Sequence, residues 1–318
     1  MATRSNQVTE CGIMPESTSS TILPDDLVSA EWLAEHLEAP QLQVVDIRGY
    51  VRTEELGGGR QRATYAGAPD EFIAEHIPGA TFVDWTRDIV DPDGEVKAQI
   101  APAELFAQAM GIRGVGSDTD VVVVDHTGGH FATRLWWALR YYGHDRVAVL
   151  DGGFARWRSL GLPTEAGPGV ADTKSFSAHA LPELVSGADD VLTVIENGAR
   201  QIVDARDADT YAGRTQRGSR GGHIPTAVNL PAKDLIGPDG LWRNPEEIRA
   251  TAESAGVDLD RSVTAYCNGG VTATAVLFAL QRAGLTDISN YDGSWNEWGE
   301  RPDLPVEGNQ DLFREAGR

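Results

Sequence analysis

The stretch "TAYCNGGVTATAVLFAL", residues 264–280, holds the parts from which a nucleophilic site can be built. Cys267 ends a strand-like run, Gly269 and Gly270 follow, and a helix-like run leads away. A loop that closes on a helix N-terminus turns several N–H groups inward, at the positive end of the macrodipole. Gly269 and Gly270 let the backbone curl without Cβ clashes. Such a cup favours a thiolate at Cys267, and would equally hold a persulfide or an anion on the sulfur. A lone cysteine near a strand end is more often a small buried hydrophobe. Here the glycine pair and the strand–loop–helix setting favour nucleophilic chemistry.

Three chemistries compete for this loop. A metal site wants further Cys or His at ligand spacing, and none lies nearby. A cysteine phosphatase needs an arginine closing a Cys-x5-Arg loop to grip phosphate, but Ala273 and Thr274 occupy the positions where it would stand. Sulfur transfer needs the thiolate, the amide cup and cations to seat a donor, and it remains. Neither a cofactor nor a metal is called for.

The elements that must position Cys267 appear twice. "VVVVDHTGGHFATRLWWALRYYGHDRVAVLDGGFARW" (121–157) lies without a gap on "SVTAYCNGGVTATAVLFALQRAGLTDISNYDGSWNEW" (262–298), at an offset of 141. Upstream, "VVDIR" (44–48) answers "IVDAR" (202–206), and "HIPGA" (76–80) answers "HIPTA" (223–227). The order of elements is kept while loop lengths differ. His126 stands where Cys267 stands, so the first copy is read as catalytically silent, with His126 most simply a satisfied loop residue. "QVVDI", "VVVVD" and "VAVLD" read as strands, and "SAEWLAEHL", "PAELFAQAM" and "FATRLWWALRYY" carry the helical period. Alternating strands and helices imply a parallel sheet covered on both faces in each copy, with sites at the carboxyl ends of strands.

Five segments are expected: a disordered leader (1–21), the first copy (22–161), a Gly/Pro/Ser-rich linker (162–183), the second copy (184–306) and a frayed tail (307–318). With 48 acidic against 27 basic residues, the net charge is −21, which excludes nucleic-acid or anionic-membrane binding through the general field. An anionic substrate must then be held by local arginines. Lys97, Lys174 and Lys233 are the only lysines. Two cysteines make no disulfide framework and suit a reducing cytoplasm. Cys11 lies in a polar leader without the apolar run of a secretory signal or membrane anchor.

These motifs resemble the tandem-domain rhodaneses and mercaptopyruvate sulfurtransferases over roughly residues 22–306. "FIAEHIPGATFV" (72–83) matches the family's first signature and "YDGSWNEW" (291–298) most of its C-terminal one. The resemblance implies an α/β fold of two rhodanese-like domains. It also implies a sulfurtransferase in which Cys267 takes sulfane sulfur and passes it to cyanide or a thiol, a thioredoxin-like protein among the candidates. By the same resemblance the amides of Asn268, Gly269, Gly270, Val271 and Thr272 form the cup, and Arg206 binds the donor. Arg217 and Arg220, with Arg214 three apart on one loop, complete a basic cluster beside the cleft. Asp46, Asp204, His76 and His223 are read as scaffold, and Trp295 and Trp298 as core. The loop matches neither the CRKGVT of thiosulfate-using members nor the CGSGVT of mercaptopyruvate-using ones. Gly269 removes the serine of a proposed proton relay, so thiosulfate is favoured, with mercaptopyruvate the alternative. A non-catalytic binding module is the rival of another class.

Overall fold

A computed structural model describes residues 20–308. Residues 1–19 of the expected leader, with Cys11, and 309–318 of the expected tail lie outside the described residues, while Thr21, placed in the leader, is held by a hydrogen bond from its hydroxyl to Asp120. The first sheet contains β1 (Leu27–Val28), β2 (Leu42–Asp46), β5 (Thr81–Phe82), β6 (Asp120–Val124) and β7 (Val147–Leu150), in the order β1-β7-β6-β2-β5 and parallel throughout. The second contains β8 (Val185–Ser186), β9 (Gln201–Asp204), β11 (Val228–Asn229), β12 (Val263–Tyr266) and β13 (Ile288–Tyr291), in the corresponding order β11-β9-β12-β13-β8. The central strands β6 and β12 are buried at every position. Continuous Val/Ile/Ala runs therefore suit them, because helices cover both faces.

The helices Ala132–Tyr141 and Thr272–Arg282 each follow the loop at the end of the central strand, and they pack on each other. Thr133 and Thr274, equivalent across the repeat, meet there with hydroxyls 3.2 Å apart, and Trp136 sets its edge against Phe278. One apolar core runs through both copies, from Val45 and Trp136 to Phe278 and Ile288. A second cluster covers the outer face of the first sheet and a third that of the second. The inner layers of the two sheets are thus one core, and each copy's loop opens toward the other copy.

Two features differ from a bare repeat. The 162–183 segment is pinned along the first copy, with the Glu165, Lys174 and His179 amides donating to His76, Gly111 and Tyr142 and with Phe176 buried against Phe106. The chain between Arg48 and His76 is also eleven residues longer than that between Arg206 and His223. The extra length forms an antiparallel hairpin, β3 (Gly49–Gly57) and β4 (Arg60–Gly67), with Gly57, Gly58 and Gly59 at positive φ in the tip. Neither the strand-like nor the helical patterns read above pointed to it. It reaches over the second copy, where β10 (Gln216–Arg217) pairs parallel to β4, Gln216 opposite Arg60 and Arg217 opposite Gln61. Among the described residues no helix is long and apolar enough to cross a membrane.

Candidate active site

Cys267 follows β12 directly, at the carboxyl edge of the second sheet, and is 3% exposed. Its loop is tied from beneath by Ser294, which lies in "YDGSWNEW". The Ser294 hydroxyl accepts from the amides of Cys267 (3.1 Å) and Gly270 (3.0 Å) and donates to the Tyr291 carbonyl (2.7 Å). The amides of Trp295 and Asn296 donate in turn to the carbonyls of Cys267 and Asn268. Gly270 sits at φ +69°, and a Cβ there would come within 2.7 Å of the Asp292 carbonyl oxygen. Only glycine fits that corner without strain. Arg134 of the first copy, 2% exposed, donates to the Gly270 carbonyl (3.1 Å), to the Asp292 carboxylate (2.5 Å) and to the Ala98 carbonyl (2.8 Å). The loop's shape is therefore fixed by both copies. The amides of Asn268, Gly269, Val271 and Thr272 find no acceptor among the described residues, whereas that of Gly270 is spent on Ser294.

The first copy shows what such a loop does when it holds an anion of its own. Asp125 accepts from the amides of Thr127, Gly129, Phe131 and Ala132, and from the Thr127 hydroxyl, at 2.8–3.1 Å. Tyr266 takes its place in the second copy and turns its hydroxyl to Asp204 instead. The loop amides of the second copy are thereby left without an internal carboxylate.

Two cavities meet at the thiol. One, about 180 Å³, is walled by Val51, Thr53 and Tyr65 of the hairpin, by Trp85 and Ala98, and by Arg217 and the cysteine loop. The other, about 230 Å³, is bounded by His130, Arg206, Arg217 and Lys233 with Cys267, Asn268 and Thr272. Burial raises the Tyr65 hydroxyl's pKa, a charge on Cys267 pushes it further up, and Asn296 opposes both. Burial holds His130 neutral by lowering its pKa, Asp125 pulling weakly the other way, and its Nε2 has no partner among the described residues.

A family model for the rhodanese-like domain matches residues 29–160 and 187–301. This chain belongs to the rhodanese family of sulfurtransferases. It is 35% identical over 283 residues to the 3-mercaptopyruvate sulfurtransferase of Escherichia coli K12, covering 88% of this chain and 97% of that one. It is equally 35% identical, over 285 residues, to the thiosulfate sulfurtransferase of Bos taurus, covering 86% and 92%. The crystal structure of SseA from Escherichia coli, a 3-mercaptopyruvate enzyme by its description, superposes with a TM-score of 0.75 at 33% identity, over 85% of this chain and 98% of that one. Relatives of both donor classes match at 35–36% identity, the 3-mercaptopyruvate enzymes slightly the better, and a difference that small does not choose the donor.

In this sulfurtransferase the expected basic cluster is split. Arg217 borders both cavities, held by the Gln61 side chain (3.2 Å) and the Thr53 hydroxyl (3.1 Å) of the hairpin. Arg206 borders one, but its guanidinium is clamped on Asp204 (2.6 Å), donates to the Gly222 carbonyl, and stacks on Trp295 at 4.4 Å. Arg220 is not brought to the site. It donates to the carbonyls of Trp298, Gly299, Arg301 and Leu304, where the helix Ser294–Trp298 ends and leaves carbonyls unpaired. Arg214 pairs with Asp209 in solvent. His126 packs against Tyr50 and Phe131 and borders neither cavity at the thiol, but it is not the satisfied loop residue expected, since its buried Nδ1 has no partner among the described residues. Asp46 and Asp204 clamp Arg48 and Arg206, and His76 and His223 bond carbonyls, as scaffold residues should. Sequence reasoning missed Tyr65, His130 and Lys233. Only Lys233 carried a signal, as one of three lysines in an arginine-rich chain.

Proposed function

We propose that Cys267 carries sulfane sulfur as a persulfide, taken from thiosulfate and passed to a thiol or cyanide in a reducing cytoplasm. The observation that carries this reading is the coincidence of one thiol with loop amides that have no protein acceptor, two of which, those of Asn268 and Thr272, correspond to first-copy amides, Thr127 and Phe131, that hold a carboxylate. The Cys267 thiolate attacks the outer sulfur of the donor. The donor's S–S bond breaks, and sulfite leaves with the electron pair. The amides of Asn268, Gly269, Val271 and Thr272 hold the charge on the transferred sulfur, while Arg217 and Lys233 seat the donor's anionic end. Arg206 acts as a fixed wall of the same cavity. An acceptor thiolate then attacks the outer sulfur and returns the electron pair to Cys267.

The test is the intact mass after incubation with thiosulfate. One sulfur is gained by the native chain and lost again to cyanide, and none is gained by Cys267→Ser. Full transfer activity in Cys267→Ser would overturn the mechanism. Thiosulfate is favoured because no hydroxyl stands at Gly269 and three cations, Arg206, Arg217 and Lys233, border the cavity against one carboxylate, Asp207. The Tyr65 hydroxyl supports 3-mercaptopyruvate as a second reading, since a neutral phenol beside the thiol could protonate the departing enolate. The ratio of kcat/KM for the two donors on one preparation decides. A ratio favouring 3-mercaptopyruvate replaces the first reading with the second.

A further inference from the structure

Beyond the cavities at the thiol, an open groove of about 570 Å³ runs between the hairpin, the 95–97 segment and β10. It shares Tyr65 and Arg217 with the cavity at Cys267. Four cations border it: Arg60, Arg62, Lys97 and Arg217. Among the described residues Arg60, Lys97 and Arg217 stand in no ion pair, and Arg62 reaches only the exposed Glu54 at 3.3 Å. The groove's two carboxylates are Glu95 and Glu300, the latter turned onto the Ser219 amide and hydroxyl, so the cations outnumber them. In a chain of net charge −21, clustering unpaired cations at one exposed place gives nothing to folding. It produces a local positive field that draws anions.

We propose that this groove is the acceptor site, and that it takes a small thiol bearing carboxylates. The proposal rests on the persulfide reading and adds the place and chemistry of the second half-reaction. The cavities at Cys267, about 180 and 230 Å³, suit a small inorganic or three-carbon donor. They fall below the roughly 300–1,000 Å³ that larger ligands fill, so the body of a peptide-sized thiol must lie outside them. The groove has that size and abuts the cavity, with Arg217 reaching both. An acceptor whose carboxylates rest on Arg60 and Lys97 can send its sulfur past Tyr65 to Cys267. Its thiolate attacks the outer persulfide sulfur. The bond from that sulfur to Cys267 breaks, Cys267 recovers its thiolate, and the acceptor departs as a persulfide. No external oxidant or reductant is needed.

The test uses the double variant Arg60→Ala/Lys97→Ala, both substitutions at exposed side chains. Persulfide formed on the full-length protein is discharged by glutathione, which carries two carboxylates, or by neutral 2-mercaptoethanol. The double variant is expected to lose about fivefold to twentyfold in the second-order rate with glutathione, from the few-fold worth of each exposed charge. The rate with 2-mercaptoethanol should stay within about twofold, as should persulfide formation from donor. A separate arm measures binding of S-methylglutathione, which cannot accept sulfur. Its Kd should rise by a similar factor whether or not Cys267 takes up sulfur, so failure of the persulfide reading is seen apart from failure of the groove. Equal effects on both thiols, or an S-methylglutathione Kd unchanged between native and variant, would overturn the assignment.

Discussion

Ser294→Ala tests whether the cysteine loop is held by one hydroxyl. Ser294 is fully buried, and its oxygen is the acceptor for two amides and the donor to one carbonyl. Removing it strands three buried backbone groups, each worth about 1–3 kcal/mol when unpaired. Partial relaxation brings the expected cost to about 3–5 kcal/mol, a fall in Tm on the order of 10 °C. The bonds from Trp295 and Asn296 to the loop carbonyls persist, so the loop loosens but does not leave. Persulfide formation should slow by roughly tenfold to a hundredfold, about 1.4 kcal/mol of barrier per tenfold. Ser294→Gly separates hydrogen bonding from backbone strain. Ser294 sits at φ +50°, a conformation that costs a non-glycine residue about 1–2 kcal/mol. The glycine variant should therefore unfold at a higher temperature than the alanine variant and yet be as slow. Differential scanning calorimetry and stopped-flow persulfide formation read the two effects. A Tm within 2 °C of native together with an unchanged rate would refute the hydroxyl's role.

Arg217→Ala should lower kcat/KM for the donor by roughly 10–150-fold, the worth of a charge-assisted hydrogen bond, without loss of Tm; steady-state kinetics beside a melting curve checks this. Arg134→Ala leaves Asp292 buried without its cation and should destabilise by about 3–5 kcal/mol, measured by urea unfolding. Cys267→Ser should melt near the native temperature while forming no persulfide, since the thiol is tied into the fold through its backbone. Alkaline stability follows from Tyr266 and Tyr291, whose pKa values are pushed up by burial and then by Asp204 and Glu297 respectively. The folded state holds these protons more tightly than the unfolded chain, whose tyrosines titrate near 10. Stability is thus complete below about pH 10 and falls above it by up to about 1.4 kcal/mol per pH unit per tyrosine. Chemical denaturation between about pH 8 and 11 should show the break, and a flat profile would refute it.

The sheets were legible because β2, β6, β7 and β12 are short, β-branched and bounded by polar or glycine residues, a pattern that burial on both faces enforces. The cysteine loop was legible through its glycines and through the copy that lacks cysteine. The arginines were not. Arg206, Arg217 and Arg220 look alike in sequence, yet their roles depend on what each guanidinium meets: a buried carboxylate, the first copy's hairpin, or the open carbonyls of a helix end. Partners more than 75 residues away decide the last two. The hairpin was invisible because its strands mix Arg, Glu, Gln, Thr and Gly, and only its packing over the second copy gives it a face.

Asp125 has a consequence for how a duplicated gene could gain a second working centre. The first copy is not an empty pocket awaiting a thiol; the amides of Thr127, Gly129, Phe131 and Ala132 already hold a tethered carboxylate. Placing cysteine at position 126 would supply a nucleophile two of whose cup amides, those of Thr127 and Phe131, are pledged elsewhere, and the carboxylate would repel every anionic donor. A cup like that of the second copy would need changes at 125 and 126 and also at 153, where Gly153 stands in the place of Ser294. Any one of these substitutions alone leaves a blocked thiol or an open cup with nothing to hold, so several concerted changes separate the two loops of this molecule.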